Sequence, residues 1–229
     1  MKCLLSLSLA TLAVAANFVL SGPAQTPELS KGVSVQMAHT SHAVSYTTAD
    51  QADAWIVTVT AKGELYFAAK SVTPDQLMEE MKVTPRARDA RLYIKADARA
   101  TFADVKAALG TARSAHFEDI VLLTSQPASP ASGTIVPPKG IEVLIGPTSS
   151  GESIPVRLSG PSEAVTLTVN SKPVPWPELQ STLKGLVQRQ AQLVQVEAND
   201  AVPFGDIIRV ADQVRAAGAT VALPIYHSL

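Results

Sequence analysis

The chain has 229 residues, 46% hydrophobic and 17% charged, with a formal net charge of −1 and a pI near 6.4. Near-neutral charge, with no run of five like charges, leaves no basic face for nucleic acid, and 5% aromatic content leaves no stacking platform. The one cysteine is Cys3, so the body carries no disulfide, thiol nucleophile or cysteine-based metal site.

The chain opens with Lys2 and an apolar run from Cys3 to Leu20, broken only by Ser6, Ser8, Thr11 and Asn17. No acidic residue precedes Glu28. Residues 1–24 therefore read as a signal peptide or a single membrane anchor. Ala13 and Ala15, or Gly22 and Ala24, offer cleavage sites, and the run is short against the roughly 20 residues of a span. Local pattern favours cleavage; on either reading the body is exported.

Trp55–Thr60 has the composition of a strand, Ala61–Glu64 that of a turn, and Leu65–Ala69 that of a second strand. Thr73-Pro74-Asp75-Gln76 predicts a helix start, with Thr as cap, Pro in the first turn and Gln three after the cap. The helix carries Leu77, Met78 and Met81 and fades near Val83-Thr84-Pro85. Arg91–Ala96 alternates as a strand, Thr101 opens a second helix, and Ile120–Leu123 is a short strand apolar at every position. Four prolines among Ser, Ala and Gly then mark a linker. Beyond it, Val165–Val169 predicts a strand, and a short strand interrupted by Pro173 and Pro175 follows. Pro177 opens a helix with Leu179, Leu183, Leu186 and Val187. Gln192–Ala198 is a strand, Pro203 opens a last helix that Gly218 closes, and Val221–Ile225 ends the series.

The two halves align with each other without a gap. Residues 72–115 fall on 174–217 at a shift of 102, so that Leu77 meets Leu179, Phe102 meets Phe204 and Arg113 meets Arg215. Upstream, Lys31-Gly32-Val33-Ser34-Val35 recurs as Lys139-Gly140-Ile141-Glu142-Val143. Solenoid units run to about 20–50 residues, so this period marks a duplicated domain. The expected fold is α+β: two tandem β-β-α-β-α-β domains, at 31–126 and 139–229, joined by a Pro/Ser/Ala linker at 127–138. Each is a small mixed sheet with two helices on one face, the other face open or paired with a neighbour.

No constellation carries chemistry. Asp104 and Asp206 start helices, where the helix dipole accounts for them. Asp97 and Asn199 close strands and fit turn chemistry. His39 and His42 stand three apart but have no third ligand nearby, and His116 and His227 are scattered. Gly146–Gly151 lacks the lysine of a phosphate loop. Trp55 and Trp176 fit core or edge packing. No catalytic residue, cofactor site or metal site is expected, and the protein reads as no enzyme.

Certain residues carry a resemblance. Ile94-Lys95-Ala96-Asp97 before Phe102-Ala103-Asp104-Val105 is the first set. The second is Val196-Glu197-Ala198-Asn199 before Val202-Pro203-Phe204-Gly205-Asp206-Ile207, closing on Val214-Arg215-Ala216-Ala217-Gly218. In this order, and twice over, they resemble the periplasmic domain of the ExbD/TolR family of biopolymer transport proteins. Lys31–Met37 is similar to the segment that follows the family's membrane span. The resemblance implies a single-pass protein of the bacterial inner membrane with a periplasmic body, beside an ExbB/TolQ-like membrane protein. It further implies use of the proton-motive force, periplasmic domains paired as dimers, and an anchor aspartate. That position falls near Ala13, and the apolar run holds no Asp or Glu. The alternative is an exported scaffold or binding protein of the soluble periplasm. Its partner would be peptidoglycan, a TonB-like protein or another copy of itself.

Overall fold

The computed structural model describes residues 33–51, 53–85, 90–117, 120–125, 137–146, 153–160, 163–188 and 192–225. The expected leader, most of the linker and His227 lie outside them.

The first copy contains β1 (Val44–Ser45), β2 (Trp55–Val59), β3 (Leu65–Phe67), β4 (Lys70–Val72), α1 (Pro74–Val83), β5 (Leu92–Ala96), α2 (Phe102–Ser114) and β6 (Ile120–Thr124). The second contains β7 (Lys139–Ile145), β8 (Ile154–Ser159), β9 (Thr166–Val169), β10 (Lys172–Pro173), α3 (Leu179–Val187), β11 (Leu193–Ala198), α4 (Phe204–Ala216) and β12 (Thr220–Leu223). The expected helix starts are present. Thr73 accepts from the Gln76 amide while the Gln76 side chain accepts from the Thr73 amide, closing the box that starts α1. Thr101 caps α2, and Pro203 occupies the cap of α4. Pro177 sits in a 3-10 turn, Trp176–Glu178, that leads into α3.

Three details depart from expectation. The first copy has an unexpected short strand before its first helix, β4, whereas β10 is the expected short strand after Val165–Val169. The expected strand Leu65–Ala69 stops at Phe67, because Ala68 turns with φ 54° into β4. The strand equivalent to β2 is β8, not Val165–Val169: Val59 pairs with Ala96 as Leu158 pairs with Ala198, at the same place in each copy.

The strands form one sheet, not two, in the order β10-β9-β8-β11-β12-β7-β6-β5-β2-β3-β4, with β1 beside β7. Residues from all four helices and the sheet face beneath them share one core, including Leu77, Leu109, Leu183, Ile208, Ile94 and Val196. The helices thus lie on one face, as two amphipathic pairs require. The second face differs between copies. In the first, Ile56, Tyr93, Val121 and Leu123 are buried under Tyr46 and Ala49 from the segment before β2. In the second, the exposed Arg157 faces outward, joined to Glu197, which in turn binds Gln195.

Candidate interaction site at the junction of the two copies

The copies meet on β7. On one side it pairs antiparallel with β6, and on the other parallel with β12. Val143 stands opposite Ile120 in the first pairing and Val221 in the second. Those two residues are equivalent, since Ile120 pairs with Leu92 as Val221 pairs with Val194, the residue 102 positions after Leu92. An approximate twofold axis therefore passes through β7. Two strands related by such an axis run in opposite directions, so one strand between them must be parallel to one and antiparallel to the other.

On the helix side, the loops that open α2 and α4 clasp each other about the same axis. The Phe102 amide donates to the Val202 carbonyl at 2.8 Å, and the Phe204 amide donates to the Ala100 carbonyl at 2.8 Å. The Ala103 amide donates to the Asp200 carbonyl, and the Gly205 amide to the Ala98 carbonyl. Adding or subtracting 102 converts each bond of a pair into the other. Such reciprocity marks an isologous interface, here closed within one chain. Thr101 and Pro203 lie opposite each other at its centre. Gly205 makes a close approach there: a Cβ would sit 3.0 Å from the Ala98 oxygen, so a side chain would need that turn to shift slightly. Lys106 also ion-pairs with Asp200 across the junction.

A strap, residues 36–43, crosses the junction and breaks its symmetry. The Gln36 amide donates to Asp97 Oδ2 at 3.0 Å, and the Ala98 amide donates to the Gln36 carbonyl. The Ser125 amide donates to the Ala38 carbonyl, where His39 and Ser125 form a parallel bridge. The strap then reaches the second copy, where buried Asp212 on α4 accepts from the Ser41 amide and, at 2.7 Å, from the His42 amide. His42 Nδ1 also lies 3.1 Å from Asp212 Oδ2. Arg215 donates to the His42 carbonyl, while its equivalent Arg113 donates to the Ile225 carbonyl. Asp97 is buried, and its hydrogen bonds from the Arg99 side chain hold its carboxyl well below the usual carboxylate range. Both carboxylates are committed to backbone amides and one adjacent side chain, which suits them to holding chain segments in place.

The residues singled out in the sequence are dispersed. Asp104 accepts from the Thr101 hydroxyl at 2.6 Å and packs under the Gly63 turn, where φ is +79° and a Cβ would meet the carboxylate. Asp206 is partly desolvated, which raises its carboxyl above the usual value, opposed by Arg209. Asn199 repeats the Asp97 turn: the Val202 amide donates to its carbonyl as the Ala100 amide donates to Asp97. His39 and His42 do not converge, since one meets Ser125 and the other Asp212. His116 holds a left-handed turn at φ 60°, at the position Gly218 fills with φ 82°. Trp55 is core, between Phe67 and Phe117, and the guanidinium of Arg209 lies 4.2 Å from the ring centre of half-buried Trp176. Among the described residues, no group of three His, Cys, Asp or Glu could hold a metal ion. An open cleft of about 530 Å3 at the ends of α1 and α2 is lined by Met81, Val83, Pro85 and His116.

Sequence reasoning missed Asp212. Its signal was an acidic residue in the apolar run Ile207–Val214, at the position where the first copy has Gly110. It also missed the strap, which no local pattern announces.

No individual curated protein matches the chain. The family described as biopolymer transport protein ExbD/TolR matches it twice, over residues 6–127 and 124–226. Proteins of this family are envelope-associated transport accessories rather than enzymes, and they associate with partners of the ExbB/TolQ and TonB/TolA types. Two successive matches, agreeing with two copies of one fold joined about an approximate twofold axis, place this chain in the ExbD/TolR family, as a component of a biopolymer transport system.

Proposed function

We propose that the chain is a non-enzymatic component of a proton-motive-force-linked transport system of the ExbB/ExbD or TolQ/TolR kind, with its body facing the periplasm. In this reading residues 1–24 are an inner-membrane anchor that meets an ExbB/TolQ-like protein. Residues 31–126 and 139–229 are two family domains that replace a pair of subunits. The reciprocal clasp between Ala98–Ala103 and Asp200–Gly205 carries the reading, because a closed isologous contact inside one chain leaves that surface unavailable to a second chain. The first family match also begins at residue 6, within the apolar run. Among the described residues no helix is long and apolar enough to cross a membrane, so the anchor role rests on residues outside them.

One observation favours a second reading. The run Cys3–Leu20 has no carboxylate, and proton coupling within a membrane needs a titratable group there. A chain that kept the paired domains and lost the motor would be an exported scaffold, binding a protein such as a TonB-like partner, or peptidoglycan.

Intact mass and fractionation of the natively expressed protein separate the two. A full-length species in the inner membrane, resistant to carbonate extraction and co-purifying with an ExbB/TolQ-like protein, is the expected result. A soluble periplasmic species that starts near Ala16 or Gln25 refutes the motor reading and leaves the scaffold.

A further inference from the structure

The second copy carries a cluster at the start of α4 that the first copy lacks. Asp206 and Arg209 stand three apart on α4, the spacing at which opposite charges meet on a helix surface. They form no ion pair with each other. The exposed guanidinium of Arg209 instead lies over half-buried Trp176, 4.2 Å from the ring centre, and makes no hydrogen bond among the described residues. The Asp206 carboxylate is partly desolvated and accepts no hydrogen bond among the described residues. At a shift of 102 the first copy fills these positions differently. Asp104 accepts from the Thr101 hydroxyl, whereas Pro203 has no hydroxyl to offer Asp206. Ala107 stands in the place of Arg209, and Pro74 in that of Trp176.

Opposite charges held apart in this way are poised to receive a ligand. The indole fixes the guanidinium and leaves its N–H fork for a planar acceptor. Pro175 and Pro177 flank Trp176 and stiffen the turn that carries it, so little freedom is lost when a ligand arrives. Trp and Arg are also the residue types most enriched where protein interfaces concentrate their binding energy. Pro173, Pro175, Pro177 and Glu178 are exposed beside them, and an open surface fits a protein chain better than a small molecule, which a cleft would enclose. The charges select the partner. It brings an acid to Arg209 and a base to Asp206, because a partner of one sign would meet a like charge at one of the two positions. The spacing selects its conformation. Side chains three apart on a helix have Cβ atoms about 5–6 Å apart. Side chains two apart on an extended chain lie on one side, about 6.6 Å apart.

We propose that Trp176, Asp206 and Arg209 form a docking site for an extended segment of a protein partner in which a Glu and a Lys stand two residues apart. The Glu carboxylate accepts from the Arg209 guanidinium, and the Lys ammonium donates to Asp206. The site belongs to the second copy alone, so its partner meets one side of the paired domains. It does not depend on whether residues 1–24 stay attached.

Peptide titration tests this. The full chain at low ionic strength is titrated calorimetrically with two capped peptides, Gly-Glu-Ser-Lys-Gly and Gly-Lys-Ser-Lys-Gly. The first is expected to bind more tightly by about tenfold or more. Arg209→Glu changes an exposed side chain outside the core and gives the site two acids. It should reverse the preference, an effect that a purely structural role of Arg209 would not produce. Binding of neither peptide, equal affinity of the unaltered chain for both, or an unchanged preference in Arg209→Glu overturns the proposal.

Discussion

The two copies share a backbone plan and a core but not a second sheet face. Ile56, Thr58, Tyr93, Lys95 and Val121 of the first copy stand where the second has Pro155, Arg157, Gln195, Glu197 and Ala222. The first set is covered: Tyr46 meets the Tyr93 ring edge-on at 6.2 Å, and Thr48 and the Tyr93 hydroxyl lie 2.5 Å apart. Burial pushes the Lys95 ammonium below its ordinary pKa. The second set makes a polar network in water through Arg157, Glu197 and Gln195. The face under the N-terminal segment is apolar, and the face without such a cover carries the polar network. A strand's composition therefore reports what lies over it more than which fold it belongs to.

Exchanging residues between the copies is the sharpest way to break this comparison. Thr58→Arg places the second copy's exposed cation at a fully buried site and should cost about 3–5 kcal/mol. Arg157→Thr, the reverse exchange, should cost about 0–1 kcal/mol, since it removes a surface ion pair. Urea unfolding of both variants measures the difference, and equal costs would refute the distinction between the faces.

Smaller effects follow at the junction. Asp212→Ala removes the acceptor of two strap amides and should cost about 1–3 kcal/mol, with faster hydrogen exchange at Ser41 and His42. Gly110→Ala, at the equivalent site, adds a Cβ with its nearest neighbour 3.8 Å away, and should change stability by about 1 kcal/mol or less. At the two helix ends, His116→Gly should stabilise by about 1 kcal/mol and Gly218→Ala should destabilise by about 1 kcal/mol, because both positions are left-handed. Thermal unfolding resolves the opposite signs.

The smallest effect is a pH dependence confined to one copy. The folded carboxyl of Asp97 lies below its unfolded value, so its contribution is present above the unfolded value of about 3.9 and is lost only as the pH falls below it. Gln36 should therefore stay protected at pH 5 and lose protection in the acid range beneath. Asp97→Asn, which makes the site like Asn199, should abolish that dependence. Hydrogen exchange at Gln36 across this range, in both proteins, is the check.

The helices were legible because their signals are local: a Thr-Pro-x-Gln box, a Thr cap, a Pro cap and a closing glycine. The continuous apolar run Ile120–Leu123 carried more than a strand, since burial at consecutive positions means that both faces are covered. β7 and β8 were less legible, because Gly140 and Pro155 interrupt them and their neighbours are distant in sequence. Gly140 is fixed by packing that no local pattern reveals: a Cβ there would run into the Val121 side chain. The junction was invisible for the same reason. Clasp partners stand about a hundred residues apart, and only their common shift of 102, with the symmetry it implies, links them in sequence.

Everything at the junction depends on the two copies closing on each other within one chain. Thr101 and Pro203 are opposite residues of an antiparallel bridge whose flanking bonds make it a non-hydrogen-bonded pair, for which Cα atoms lie about 4.5 Å apart, within disulfide reach. The most direct measurement is oxidation of the full chain carrying Cys3→Ser, Thr101→Cys and Pro203→Cys, followed by non-reducing electrophoresis and intact mass. The predicted result is a disulfide closed inside single chains, two mass units below the reduced form, with no rise in molecular mass. Disulfide-linked dimers, or free thiols after the same treatment, would contradict it.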